Sequence, residues 1–436
     1  MKRMRLCALG ATLALLAGIA LAGGTYLRGN IARADDGGMA PDQVAVDALT
    51  HYHIGHAKWP ALKHQNGHVV QGLQGIDSIP NFSGKYHADG FDPNGNPNKD
   101  WLYNMVGHLP QLGGTTTITA PVIPVSVDLL AADSSVRFHV DANRYLQPVL
   151  NSPVFQNATY SSSSTPTQFT DAIQRAEYAS SAKSDWHTLL HPVVEPAVTL
   201  QLPYGSYLFA RWISGPNAGQ IAFVLLDPNT LDSLMFPSTL AWPPDNSTVM
   251  GTLEASGEIT PHDITTFLFP NIFLSDFCCS LFTGFHSVDY ESGDANNGNR
   301  QREFVYTYVN WVSPDICLFV CGDEAIQDVS TLSHEMSEIF NDPFIADDGA
   351  HNITPWWSSG GGCLDYLETG DVVEGLPRPN ALITMNGMTY HLQTEALLQW
   401  FEGMTPSDAT GGAYSYPDPS ILPTANPANT PLNCGR

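Results

Sequence analysis

The chain has 436 residues, 43% of them hydrophobic, with 43 Asp and Glu against 18 Lys and Arg and a formal charge of −25. That length holds one large domain or two ordinary ones. A surface this acidic repels phosphate backbones and anionic lipid, which argues against a nucleic acid partner and for a soluble exported protein.

Lys2, Arg3 and Arg5 precede an apolar run from Leu6 to Ala22, and Ala32-Arg33-Ala34 follows as an A-x-A cleavage site. This pattern predicts a signal peptide over residues 1–34 and no stable membrane insertion after its removal. The run is at the short end for a membrane span, so an uncleaved anchor is the rival reading. The expected location is secreted: extracellular, periplasmic or wall-associated. Beyond Cys7 there are six cysteines, Cys278, Cys279, Cys317, Cys321, Cys363 and Cys434. An even number in an exported chain predicts disulfides, with bridges between the 278–279 and 317–321 pairs feasible; a Cys-rich zinc site is the alternative.

Residues 35–115 are rich in Gly, Pro, Asn and His and read as an irregular leading segment. His51, His53, His56, His64 and His68 read as solvated loop histidines. A domain is expected over 116–404. In it Val122–Val127 reads as a strand and Thr167–Ala182 as a helix. Val198–Leu202, Tyr207–Ile213, Ile221–Leu226 and Arg302–Val312 read as strands. Both faces of the last alternate apolar and aromatic residues, so both are expected to be covered. A helix starting near Asp328 or Ser330 carries an apolar stripe of Val329, Leu332, Met336, Ile339 and Phe340, and Pro343 ends it at Asp342. Trp356-Trp357 follows and reads as core or rim. A final amphipathic helix is expected over about His391–Glu402, then a Pro-rich tail over 405–436. The fold class is α+β, a mixed sheet with one motif-bearing helix.

That helix contains Ser333-His334-Glu335-Met336-Ser337-Glu338. It is an H-E-x-x-H metal motif with glutamate in place of the second histidine. His334 and Glu338, at i and i+4, share a helix face as two metal ligands, and Glu335 takes the general base's place beside a metal-bound water. A third ligand must come from elsewhere. Glu368 is preferred, with Asp371 as an alternative or supporting ligand; both lie in Leu367-Glu368-Thr369-Gly370-Asp371. Asp342, two turns on from His334, is the other candidate that stands out, but its pre-proline position turns it out of line; Asp365, His391 and His286 are weaker candidates. The expected cofactor is one divalent metal, zinc first. The second carboxylate shifts preference towards manganese or calcium. The chain has no G-x-S-x-G elbow, Walker loop or G-x-G-x-x-G after a strand. A paired-carboxylate acid hydrolase is the other catalytic option.

Ser333–Glu338 with Asn341-Asp342-Pro343-Phe344, then Cys363 and Glu368-Thr369-Gly370-Asp371, resembles a group of exported bacterial proteins sharing S-H-E-x-x-E-x-x-x-D-P and a later E-x-G-D. Gln168-Phe169-Thr170-Asp171-Ala172, Tyr390-His391-Leu392-Gln393 and Trp400-Phe401 fit the same group, so the resemblance spans roughly residues 120–402. Plant phosphate-induced (exordium-like) proteins are more distantly similar. By analogy with H-E-x-x-H enzymes, the resemblance implies a zincin-like metallopeptidase acting on a peptide or protein. The alternative is a non-enzymatic secreted or wall-associated protein in which the same residues hold a structural ion.

Overall fold

The computed structural model describes residues 31–32, 75–91, 97–161, 164–212, 217–275, 281–314, 316, 326–344, 356–357, 363–364 and 367–426. The expected signal peptide lies outside them apart from Ile31 and Ala32. So do the five leading-segment histidines, Asp365 and the side chains of all seven cysteines, so the disulfide expectation meets no structural observation; of the expected signal peptide, Ile31 and Ala32 pair with Trp212 and Arg211.

The centre is an eight-stranded mixed sheet. Its strands are β2 (Ile76–Asp77), β5 (Thr115–Leu130), β6 (Val136–Val140), β7 (His187–Val194), β8 (Val198–Leu202), β11 (Ile264–Pro270), β14 (Gly284–Glu291) and β15 (Gln301–Trp311). The long β5 pairs in parallel with β7 along its first half and with β8 along its second. β11 lies parallel between β5 and β15, and β14 runs antiparallel along β15. Every residue of β11, β14 and β15 is buried, as expected of strands covered on both faces. A second sheet holds β1 (Ile31–Ala32), β9 (Tyr207–Trp212), β10 (Ile221–Leu226), β12 (Ile272–Ser275) and β13 (Leu281–Phe282). The α+β class is as the sequence predicts.

Side-chain alternation divides the core between the sheet's two faces. On one face Val288, Tyr290, Val305, Val309 and Trp311 pack with helix α2 (Phe169–Glu177) and with the motif helix, α5 (Ser330–Asn341). On the other, Phe285, Phe304, Tyr306 and Tyr308 pack with the second sheet and with α3 (Pro228–Met235) and α4 (Val249–Ser256). α1 (Asn143–Leu150) lies beside β5. All twelve residues of α5 are buried. Its apolar stripe of Leu332, Met336, Ile339 and Phe340 faces the core, each residue contributing about 1.5–3 kcal/mol by burial.

Two expectations are corrected. The leading segment is not irregular throughout: β3 (Asn81–Phe91) and β4 (Pro97–Val106) form an antiparallel hairpin. Trp101 and Met105 of that hairpin are fully buried, in a third core that also holds Trp356, Trp400 and Phe401. The final helix is only Leu398–Phe401 (α7), preceded by the four-residue α6 (Asp371–Glu374). β16 (Trp356–Trp357) pairs with β17 (Cys363–Leu364), and β18 (Asn380–Met385) forms a hairpin with β19 (Met388–Gln393). That hairpin turns at Asn386 and Gly387, both at positive φ (51° and 81°), the backbone signature of a two-residue hairpin loop. β20 (Glu395–Ala396) then pairs with β21 (Ser415–Tyr416), tying the tail back to the domain. Among the described residues no helix is long and apolar enough to cross a membrane.

Candidate metal centre

α5 begins where Asp328 turns through a positive φ of 42°. Asp328 does not cap the helix through N2 or N3. Its carboxylate accepts from the Val329 and His391 backbone N–H groups and pairs with the His391 ring, Nδ1 to Oδ2 at 2.6 Å. His391 is thereby engaged away from the motif. At the other end Asp342 is extended (φ −159°, ψ 84°), as its following proline requires. Its Oδ2 accepts from the Leu367 N–H at 2.8 Å, so it anchors the acidic loop instead of reaching along the helix as a ligand.

This anchoring brings the two separated motifs together. The Gly370 N–H donates to Glu338 Oε1 at 2.9 Å, and the Asp371 N–H approaches the same oxygen at 3.4 Å. Gln393 clamps the assembly: its N–H donates to Ser333 Oγ and its side chain donates to the Gly370 carbonyl. Gly370 is required by packing. A Cβ there would overlap the His334 ring, although its φ of −83° suits any residue. Gly284 plays the same part on β14, where a Cβ would stand 2.9 Å from Glu335 Oε1.

His334 Nε2 lies 3.1 Å from Glu338 Oε2 and 3.9 Å from Asp371 Oδ1. These three groups offer one nitrogen and two oxygens within 4.8 Å of one another. Glu368 lies in the same cluster, its carboxyl hydrogen-bonded to Glu338. The compact three-atom grouping contains Asp371, the alternative ligand, and not the preferred Glu368. His286, a weaker candidate from sequence, is central. Its Nδ1 lies 3.0 Å from Glu335 Oε2 and 3.4 Å from Glu338 Oε2, a second grouping that shares Glu338 with the first. Glu395, which the sequence reading missed, is also buried here and accepts from Thr369 Oγ1.

Burial opposes charge on Glu338, but His334 and His286 beside it hold its carboxyl well below the usual range. Burial likewise opposes charge on His286, and its contacts with Glu335 and Glu338 outweigh this, pushing it up to about 10. Burial, then repulsion by Glu338 and Asp371, drives Glu368 well above its ordinary value; Glu395 rises likewise through burial and the charge on Glu338. Acids crowded into a buried site and driven to hold protons are acids that a cation would allow to ionise. Together with the imidazole-and-carboxylate donor set, this fits a divalent metal.

Comparison with protein-family models, with curated proteins and with solved structures finds no match to this chain.

Proposed function

We propose that the chain is a secreted metal-dependent hydrolase, acting as a peptidase on peptide or protein substrates, with its centre on α5. The observation that carries this reading is the convergence of His334, Glu338 and Asp371 next to a Glu335 that is itself positioned by His286. His334 Nε2, Glu338 and Asp371 would hold the ion, with Glu368 beside Glu338. When bound, the ion supplies Lewis acidity to polarise a carbonyl and acidify a water. Glu335 takes the proton from the attacking water and returns it to the departing amine. His286 keeps the Glu335 carboxylate in one orientation through its bond to Oε2. Gly370, Gln393 and Asp342 hold the acidic loop against the helix, so the ligands do not depend on one flexible segment. A single imidazole among carboxylates leaves zinc as first choice and manganese as the competing ion. The resemblance to exported bacterial S-H-E-x-x-E proteins and the expected signal peptide support the secreted assignment.

The alternative is a non-enzymatic protein with a structural ion at the same residues. One observation favours it: His334, Glu335 and Glu338 are all 1% exposed or less. The experiment that separates the two is Glu335→Gln. Under the hydrolase reading this variant keeps its metal and loses cleavage of a peptide library. If wild-type protein holds metal but cleaves nothing in that library, and chelation lowers its melting temperature, the structural reading replaces the enzymatic one.

A further inference from the structure

β14 carries chemistry on both faces. His286, Val288 and Tyr290 face α5, while Phe285 faces the opposite core; Asp289 and Glu291 share the parity of Phe285. On that far side Asp289 and Glu291 meet Glu254 of α4, with one carboxylate oxygen from each within 4.8 Å of the others. The residues are 3%, 1% and 2% exposed, respectively. Both oxygens of Glu254, both of Glu291 and Oδ2 of Asp289 are buried without a hydrogen-bond partner.

We propose that Glu254, Asp289 and Glu291 form a second cation site, structural in role, for a hard divalent ion of the calcium class. An all-oxygen, all-carboxylate donor set disfavours zinc and suits calcium, magnesium or manganese. Among these, magnesium holds several waters, whereas this cluster is closed off by protein, so calcium fits best. Leaving such oxygens buried and unsatisfied is costly, and a cation removes that cost. Glu254 also lies in the last turn of α4, which ends at Gly257, where the helix dipole disfavours a negative charge and favours a cation. Burial pushes all three carboxyls upward, reinforced by repulsion from Asp289 and Glu291 at Glu254, from Asp289 at Glu291 and from Asp232 at Asp289. Asp232 adds negative charge near Asp289, and Arg302, opposite Glu291 on β15, adds one positive charge. Arg302 is itself occupied by the Ser292 carbonyl and Asp294. The ion would pin α4 to the outer strand β14.

The test uses the full chain, stripped by chelator and titrated with calcium alone and with magnesium alone, followed by calorimetry and thermal melting. The expected result is one calcium per chain and a rise in melting temperature that magnesium reproduces only weakly. Glu254→Gln should weaken calcium about tenfold or more, because the number of ligand charges sets affinity at such sites. Glu338→Gln, in the α5 centre, should leave the calcium response intact, which separates this site from the proposed hydrolytic one. Terbium luminescence in the wild-type chain, sensitised by the neighbouring aromatics and displaced by calcium, reads the site without any variant. A wild type that neither binds calcium nor gives calcium-displaced terbium emission overturns the proposal. So does a calcium response unchanged in Glu254→Gln or abolished in Glu338→Gln.

Discussion

Gly370 lies so close to the His334 ring that any side chain at 370 would occupy the same space, while its own N–H donates to Glu338. The glycine of the E-x-G-D segment thus serves both residues of the helix motif. Gly370→Ala should displace the His334 ring and cost about 1–3 kcal/mol of stability, the usual range for an added methyl in a packed site. Metal affinity should fall with it, measured by competition against a chromogenic chelator. Wild-type stability and affinity in Gly370→Ala would show that the contact is not limiting.

His286 and Glu335 form the second relationship on which the centre depends. Removing the imidazole leaves a buried carboxylate without its counter-charge. His286→Phe should therefore destabilise the fold by about 3–5 kcal/mol in denaturant unfolding. His286→Gln, which can still donate to Glu335, should recover part of that loss. If His286→Phe is well tolerated, His286 is a packing residue and does not position Glu335.

A third prediction concerns Glu177, at the end of α2 and away from the metal centre. Its Oε1 accepts from the Leu398 N–H at 3.0 Å, and burial pushes its carboxyl from 4.5 up to about 8. The folded state thus holds a proton that the unfolded chain releases near 4.5. Stability from this group is complete below pH 4.5 and declines as pH rises towards 8, by an amount of the order of several kcal/mol. Glu177→Gln keeps the acceptor oxygen and removes the titration, so it should flatten this slope and raise the melting temperature at pH 7. A slope unchanged in Glu177→Gln would assign the pH dependence to other groups.

Phe340 tests the packing of the motif helix. It is 1% exposed, and the carbonyl of the same residue accepts from the Gln174 side chain of α2, which also reaches the Val106 carbonyl. Phe340→Ala should cost about 3–5 kcal/mol through lost burial and the cavity left behind. A cost below about 1 kcal/mol, measured by denaturant unfolding, would mean that the helix is not held by this core.

Much of the centre is legible in the sequence because it is local. The i, i+4 spacing of His334 and Glu338, the place of Glu335 beside them, the stop at Pro343 and the E-x-G-D segment all follow from short-range rules. Strands such as Val198–Leu202 and Ile221–Leu226 were likewise marked by their own residues and by flanking Pro, Gly and Asp. His286 is different: it joins the centre only through the β14–β15 register and the packing of α5 on that sheet, and nothing near it in sequence marks it as a partner of Glu335. Glu395 is hidden for the same reason. The misread helix over His391–Glu402 shows apolar content outweighing a turn signal: Leu392, Leu397, Leu398, Trp400 and Phe401 crowd the segment with large apolar residues without lining up on one helical face. Yet Asn386-Gly387 had already committed the chain to a hairpin. In the leading segment Phe82, Trp101 and Met105 belong to a hairpin whose Gly- and Asn-rich composition hid its period.

In the proposed centre His334, Glu338 and Asp371 share one transition metal ion. The most direct test is the zinc and manganese content of protein purified without chelator, compared among wild type, Glu335→Gln and the double variant His334→Ala/Glu338→Gln. Close to one ion per chain is expected in wild type and in Glu335→Gln, and almost none in the double variant while it remains folded. Equal metal in all three, or none in wild type, would contradict the shared site.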